Sequence, residues 1–254
     1  MSTIEIKTRK GTFYPGKVMC VGRNYEEHAK ELGNEVPEFP IFFMKPSSNL
    51  AFSGAEIEIP PYSDNMHYET ELVLLIGKNL KNASETEAEE AIIGYATGLD
   101  MTLRDQQDLL KDKGHPWEKA KCFDNAAVVS EFTLKEDLAE KTNSKASENF
   151  SGSEGFSGSE DFSGKENRST QNNLPISLDS RIILHVNGEV KQNGPLRDMI
   201  FKPAAIVAHL SKMMTIEEGD LIFTGTPAGV GKVNSGDKLV GQVENLHHVS
   251  ATIL

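Results

Sequence analysis

Two glutamates, Glu69 and Glu71, stand two residues apart where the apolar segment 70–77 begins. That segment is rich in Val, Leu and Ile and predicts a strand buried on both faces. Side chains alternate along a strand, so the two carboxylates would point the same way. A buried pair of like charges is tolerated when a cation lies between them or one is protonated, and Mg²⁺, Mn²⁺ and Ca²⁺ take such oxygen ligands. An edge strand with a solvated acidic face explains this segment equally well.

A third acid, Asp100, ends the next apolar run, 91–100, and a helix is predicted over 102–111 with Thr102 as its N-cap. Arg104 and Gln107 are three residues apart and would share a face of that helix. Three acids with Arg and Gln nearby describe a metal with an anionic ligand beside it. Taken singly, Arg104 is as well explained by a surface ion pair, and Gln107 by a solvated position.

The segment 24–33 predicts a short helix closed by Gly33, with His28 and Glu31 three residues apart on one face. A His oriented by a Glu is a common general-base pair, because the carboxylate fixes the ring tautomer and raises its basicity. The alternative is a surface histidine in an ordinary helical ion pair.

The glycine-rich segment 224–231 predicts a turn in which backbone N–H groups converge on an anion. The alternative is a tight turn that merely follows a strand, and the segment lacks the spacing of a phosphate loop. Lys121 follows a Gly-His-Pro segment that ends the predicted helix. Taken alone, it is explained as a solvated lysine.

The blocks above occur in an order that resembles the fumarylacetoacetate hydrolase superfamily, in particular its small single-domain acylpyruvase and oxaloacetate-acting branch. The resemblance extends over nearly the whole chain outside one insert. It rests on the segments 20–31, 43–46, 67–71, 98–105, 116–121, 186–189 and 218–231.

The resemblance implies an α+β fold, a mixed β-roll with short flanking helices and a lid helix, forming one catalytic domain over 1–254. It implies one Mg²⁺ or Mn²⁺ (Ca²⁺ in crystals) held by Glu69, Glu71 and Asp100. It also implies a catalytic set and a substrate-binding set. The catalytic set is His28, Glu31 and Lys121, and the substrate-binding set is Arg23, Arg104, Gln107, Gly225 and Thr226. A homodimer is expected on the same ground.

The expected activity is hydrolysis of the carbon–carbon bond of an acylpyruvate, such as acetylpyruvate or fumarylpyruvate, with His28 and Glu31 delivering water. The same site could instead decarboxylate oxaloacetate or interconvert its keto and enol forms, since all three reactions pass through an enolate that a metal stabilises. A sugar-acid dehydratase is a further alternative. A metal-stabilised binding domain without turnover is the alternative from another class, and the presence of His28 and Glu31 argues against it.

Length and net charge limit the classes of molecule that the protein is expected to bind. The chain has 254 residues and a formal net charge of -12, which argues against nucleic acid and leaves a small anionic 2-oxo acid as the expected partner. No apolar run is long enough to cross a membrane, and the N-terminus lacks a signal-peptide core, so a cytoplasmic location is expected. Cys20 and Cys122 are expected to be reduced core thiols.

One insert breaks the pattern. A six-residue unit that begins with Phe is repeated three times from 150 to 167 and is poor in apolar residues. The segment 148–173 is therefore expected to be a flexible loop insertion rather than a tether with Phe anchors. Elsewhere a hairpin with an Asn187-Gly188 turn, a helix over 204–214, a buried strand at 221–223 and a closing pair of strands are predicted.

Overall fold

The computed structural model describes residues 4–138 and 176–254. The predicted insertion at 148–173 lies outside the described residues. The strands are β1 (Ile6–Thr8), β2 (Gly11–Phe13), β3 (Lys17–Gly22), β4 (Ile41–Pro46), β5 (Leu50–Phe52), β6 (Ala55–Ile57), β7 (Met66–Tyr68), β8 (Thr70–Ile76), β9 (Ile92–Asp100), β10 (Thr102–Leu103), β11 (Ala127–Val129), β12 (Thr133–Leu134), β13 (Arg181–Val186), β14 (Glu189–Pro195), β15 (Leu221–Phe223), β16 (Gly231–Lys232), β17 (Lys238–Val243) and β18 (Val249–Ile253). The α-helices are α1 (Glu26–Glu31), α2 (Glu85–Ala91), α3 (Arg104–Asp112), α4 (Glu118–Lys121) and α5 (Pro203–Met213).

A mixed sheet carries the candidate site. Its strand order is β4-β3-β15-β8-β9-β11-β5, with β12 also paired to β9. β8 and β9 pair antiparallel at its centre, whereas β15 runs parallel to β3. Every residue of β8 is buried, which confirms the strand predicted from its continuous apolar run.

A second sheet has the order β14-β13-β17-β18-β6 and packs its apolar side chains into a shared core with the loops around the site. β13 and β14 form the predicted hairpin, and Asn187 and Gly188 occupy the left-handed conformation that a two-residue turn requires, with φ of 52° and 84°. The predicted closing pair is β17 and β18. The α+β prediction, a curled mixed sheet with few helices, is confirmed.

The helices begin and end for local reasons. α2 starts at a capping box in which Ser84 Oγ accepts from Glu87 N and Glu87 accepts from Ser84 N. α1 is followed by Gly33 at φ 65°, as predicted for its end. α5 begins with Pro203, whose missing N–H costs nothing at a first helical position. Among the described residues, no helix is long and apolar enough to cross a membrane.

Three details differ from the sequence prediction. Glu69 lies in a break between β7 and β8 rather than inside one strand. Thr102 is not an N-cap: it belongs to β10, which pairs with β7, and α3 begins at Arg104 after an uncapped Leu103. Cys20 is a buried free thiol as expected, but Cys122 is only half-buried.

Candidate active site

The register of the central strands brings the three acids together. β8 and β9 pair Thr70 with Leu99 and Glu71 with Gly98, and the N–H of Asp100 donates to the carbonyl of Glu69 at 2.8 Å. Residues directly opposite each other, and those two further along, share a face of the sheet. The carboxylates of Glu69, Glu71 and Asp100 therefore meet on one face, and one oxygen from each lies within 4.8 Å of the others.

Two buried lysines face the two oxygens of Asp100. Lys121 Nζ lies 2.9 Å from Asp100 Oδ2 and 2.7 Å from Glu69 Oε2, and it also donates to Thr102 Oγ1 at 2.6 Å. Lys45 Nζ lies 2.9 Å from Asp100 Oδ1 and donates to the carbonyl of Met101 at 3.0 Å. Burial alone would lower the pKa of Lys121, but Asp100 and Glu69 raise it above its ordinary value. Lys121 is therefore a cation in this site.

Arg104 joins the cluster from the first turn of α3. Its Nη2 donates to Glu69, and its Nη1 donates to Gln107 Oε1 at 2.6 Å. Arg104 and Gln107 are 5% and 4% exposed, so their alternative assignments as surface residues are wrong. Burial would raise the pKa of Glu69, but Lys121 and Arg104 lower it well below its usual range.

Glu71 has the opposite electrostatic surroundings. Burial raises its pKa, and the neighbouring Asp100 and Glu69 raise it further. Its Oε2 accepts from the N–H of Gly225 at 2.6 Å. The cluster thus contains three buried carboxylates. Near Glu71, the negative charges exceed the positive charges of the surrounding residues. Hard oxygen donors at this spacing could hold a divalent metal ion such as Mg²⁺ or Mn²⁺.

The predicted lid pair is formed. His28 Nδ1 lies 3.2 Å from Glu31 Oε2 on α1, and His28 is 5% exposed. Glu31 Oε1 accepts from the N–H of Gly229 at 3.0 Å, and Val230 donates to the same carboxylate. Burial raises the pKa of Glu31, but His28 and the Gly229 amide more than offset this and leave it below its ordinary value.

The glycine-rich segment therefore binds anions, and the ones it binds are the protein's own carboxylates. Gly225 holds Glu71, and Gly229 holds Glu31. The Thr226 hydroxyl donates to the carbonyl of Thr70 at 2.8 Å and accepts from Gln192 Nε2 at 2.8 Å. Thr226 lines the cavity, but its hydroxyl hydrogen is already engaged.

One cavity collects most of the predicted residues. Its lining includes Arg23, His28, Glu69, Glu71, Arg104, Gln107, Lys121 and Thr226. Asp100, Glu31 and Gly225 are not among the lining residues but contact Lys121, His28 and Glu71, which are. The assignment of individual roles to these residues stays a prediction.

Sequence reasoning missed several polar residues at the site, including Asn34, which lines the cavity. Lys45 and Gln192 are fully buried, and Lys111 lines the cavity beside Trp117. A lysine within the apolar segment 41–46 was the available signal for Lys45, since a buried charge needs partners. Gln192 lies on β14 and gave no local signal.

Comparison with known proteins identifies the family. The family profile described as fumarylacetoacetate (FAA) hydrolase C-terminal matches residues 17–254. The chain belongs to the fumarylacetoacetate hydrolase family. Membership of an enzyme family disfavours the alternative of a binding domain without turnover.

Relatives within the fumarylacetoacetate hydrolase family point to oxaloacetate. An oxaloacetate tautomerase of Escherichia coli is 40% identical over 227 residues, covering 89% of this chain and 88% of the relative. A mitochondrial oxaloacetate decarboxylase of Dictyostelium discoideum is 36% identical over 221 residues, covering 87% and 85%. These relatives favour the oxaloacetate alternative over the acylpyruvate hydrolysis expected first.

A solved structure of the same fumarylacetoacetate hydrolase type has the same fold. The fumarylpyruvate hydrolase of Pseudomonas aeruginosa, in complex with Mn²⁺ and pyruvate, is 31% identical, with a TM-score of 0.81. The similarity covers 100% of this chain and 97% of that one. It confirms the fold class.

Proposed function

We propose that this protein acts on oxaloacetate and interconverts its keto and enol forms. One observation carries the proposal. A chain 40% identical to an oxaloacetate tautomerase places a buried carboxylate cluster and a His–Glu pair around one cavity. Decarboxylation of oxaloacetate at the same site is the second candidate, favoured by the relative from Dictyostelium discoideum.

The carboxylates of Glu69, Glu71 and Asp100 would hold one Mg²⁺ or Mn²⁺. A divalent cation there would supply Lewis acidity toward the 2-keto oxygen of the substrate, which acidifies the hydrogens on C3. Lys121 and Arg104 fix the orientation of Glu69 and keep the cavity wall cationic, which suits an anionic substrate.

His28 supplies the proton transfer. Because its Nδ1 faces Glu31, the other ring nitrogen, Nε2, is available to the cavity that His28 lines. His28 takes a proton from C3 of the keto form, and the electron pair of the C–H bond forms the C2–C3 double bond. Return of a proton to the 2-oxygen gives the enol, and Glu31 stabilises the imidazolium between the two steps.

A direct test follows enol absorbance, CO₂ release and pyruvate release together, with oxaloacetate or acetylpyruvate and added Mg²⁺ or Mn²⁺. We expect enol–keto relaxation of oxaloacetate to be faster than CO₂ release, and excess chelator to abolish it. Interconversion at the buffer rate together with rapid acetylpyruvate hydrolysis would restore the hydrolase assignment.

The His28→Ala variant tests the mechanism. Enolisation and water attack both need a base, whereas loss of CO₂ needs mainly an electron sink. We expect His28→Ala to slow tautomerisation and any acylpyruvate hydrolysis about 10²–10⁴-fold, and decarboxylation much less. Cation affinity should stay unchanged, since His28 is not a proposed ligand.

A further inference from the structure

The cavity that the carboxylates line also carries cations that the acid cluster does not use. On α3, residues 104, 107 and 111 share one face, because they are spaced by three and four residues. Arg104 is bound to Glu69 and Gln107. Lys111 lies one turn beyond Gln107 on α3 and lines the same cavity.

Lys111 is a half-buried cation with little compensation. Its Nζ lies 5.7 Å from the ring centre of Trp117, and its nearest carboxylate oxygen, on Asp108, is 3.7 Å away. Only 21% of its side chain is exposed. Burial is the main cause that lowers the pKa of Lys111. Asp108 and Glu69 raise it, the positive charges of Arg104 and Arg23 lower it, and the net pKa lies below the ordinary value. An anion in the cavity would relieve this repulsion.

Arg23 lines the same cavity and has a constrained backbone. Its φ is 58°, in the left-handed region that residues other than glycine rarely occupy. The next residue, Asn24, holds this turn in place: its Nδ2 donates to the carbonyls of Thr224 at 2.7 Å and Phe201 at 2.9 Å. Such over-determined strain is concentrated at functional sites.

We propose that Lys111, with Arg23, binds the distal carboxylate of a dianionic 2-oxo acid and makes the site selective for dicarboxylates over 2-oxo monoacids. This subsite rests on the proposed function. Lys111 lines the same cavity as Glu69 and Glu71 and lies seven residues along α3 from Arg104, which is bound to Glu69. This placement suits a substrate whose 2-oxo acid end lies at the acid cluster. Lys111 is thus a specificity residue, and the reacting atoms lie at the other end of the substrate.

The test compares oxaloacetate with its 4-ethyl ester, which has the same skeleton but a neutral distal end. Lys111→Met keeps an unbranched side chain, one atom shorter, and removes the charge. Lys111→Arg keeps the charge, and Lys113→Met removes a comparable charge from an exposed neighbouring position. We expect Lys111→Met to raise the KM for oxaloacetate about 10- to 100-fold, the loss of one charge-assisted contact. The KM for the ester and both kcat values should change less than about twofold, and Lys111→Arg should restore most of the loss.

Equal losses for oxaloacetate and the ester, or no loss in Lys111→Met, would overturn the subsite. Titration calorimetry of both compounds in the presence of Mg²⁺ separates this outcome from failure of the proposed function. If the wild type shows no enolisation yet binds oxaloacetate more tightly than the ester in a Lys111-dependent way, the subsite stands and the reaction assignment falls.

Discussion

Lys45 is one of the two buried lysines that hold Asp100 in place. Its ammonium is fully buried and faces Asp100 and the Met101 carbonyl. We expect Lys45→Met to lower the free energy of unfolding by about 3–5 kcal/mol, because Oδ1 of the buried Asp100 loses its cation and only Lys121, at Oδ2, still balances that charge. Urea unfolding measures this. Lys78→Met, which breaks an exposed pair with Glu90, should cost no more than about 1 kcal/mol; similar losses in both variants would contradict the assignment.

Glu31→Gln should be severe although it is isosteric. Glu31 Oε1 accepts from Gly229, so the amide oxygen of a glutamine would take that position and its NH₂ group would face His28 Nδ1. Nδ1 would then accept, and Nε2 would carry the proton and cease to be a base. We expect enolisation to fall about 10²–10⁴-fold, measured by enol absorbance. Near-wild-type rates would show that the ring tautomer is not set by Glu31.

Glu31 also predicts how the lid responds to acid. Its pKa in the folded protein lies below the ordinary value of 4.5, so its contribution to lid closure is fully present above pH 4.5. That contribution should be lost only as the pH falls through the lower folded value. A carboxyl titration by NMR should show this midpoint, and in His28→Ala the midpoint should rise. A wild-type midpoint at or above 4.5 would contradict the contact.

At the scale of elements, the glycine-rich segment 224–231 tolerates added side chains least. Gly229 has a φ of 99°, and a Cβ there would lie 2.1 Å from the Lys191 carbonyl oxygen. Gly236 has a φ of 91° with open space around it. Both alanine variants should lose about 1–3 kcal/mol to backbone strain. Only Gly229→Ala should also slow enolisation, since it displaces the amide that holds Glu31. Equal activity in the two variants would show that the segment does not support the lid.

The strands and helices that the sequence predicts correctly are those with a local cause. A continuous apolar run predicts β8, and Asn187-Gly188 predicts the β13–β14 hairpin. Thr102 failed as an N-cap because its backbone pairs with His67, a contact that no local pattern reveals. Tertiary pairing outweighs capping propensity there.

The sequence predicts which three acids meet and that Glu69 and Glu71 point the same way. It does not predict every side chain that surrounds them. Glu69 and Glu71 share a face because β8 pairs with β9 in one register, and the break after Tyr68 does not disturb it. Lys45 and Gln192 come from distant strands, and only the assembled sheets bring them to the site. Lys45 lies on β4, which three strands separate from β9 in the same sheet, and Gln192 lies on β14 of the other sheet. Both contacts depend on strand order and sheet packing, which spacing along the chain does not encode.

For the whole molecule, the repeat insert should be dispensable. The residues just outside the undescribed stretch, Leu138 and Ile176, are 4% and 2% exposed and belong to one buried cluster. We expect replacement of 148–173 by a short Gly/Ser linker to leave the melting temperature and turnover nearly unchanged, because closing a shorter loop costs little. A same-length Gly/Ser replacement is the control. A large loss in both variants would show that the Phe repeats dock somewhere that matters.

The residues on both sides of the insert are anchored in one core, which makes the insert a suitable position for adding a second domain. Leu138 and Ile176 return the chain to the cluster that also contains Tyr25 and Met199, and neither flank lines the cavity. The stretch between them is thus an internal position at which a second module, such as a fluorescent domain, could be inserted while residues 1 and 254 stay unchanged. Tyr25 immediately precedes α1 and belongs to the same cluster as Leu138 and Ile176, so a reporter inserted between those two residues would be joined to the core that also holds the start of α1.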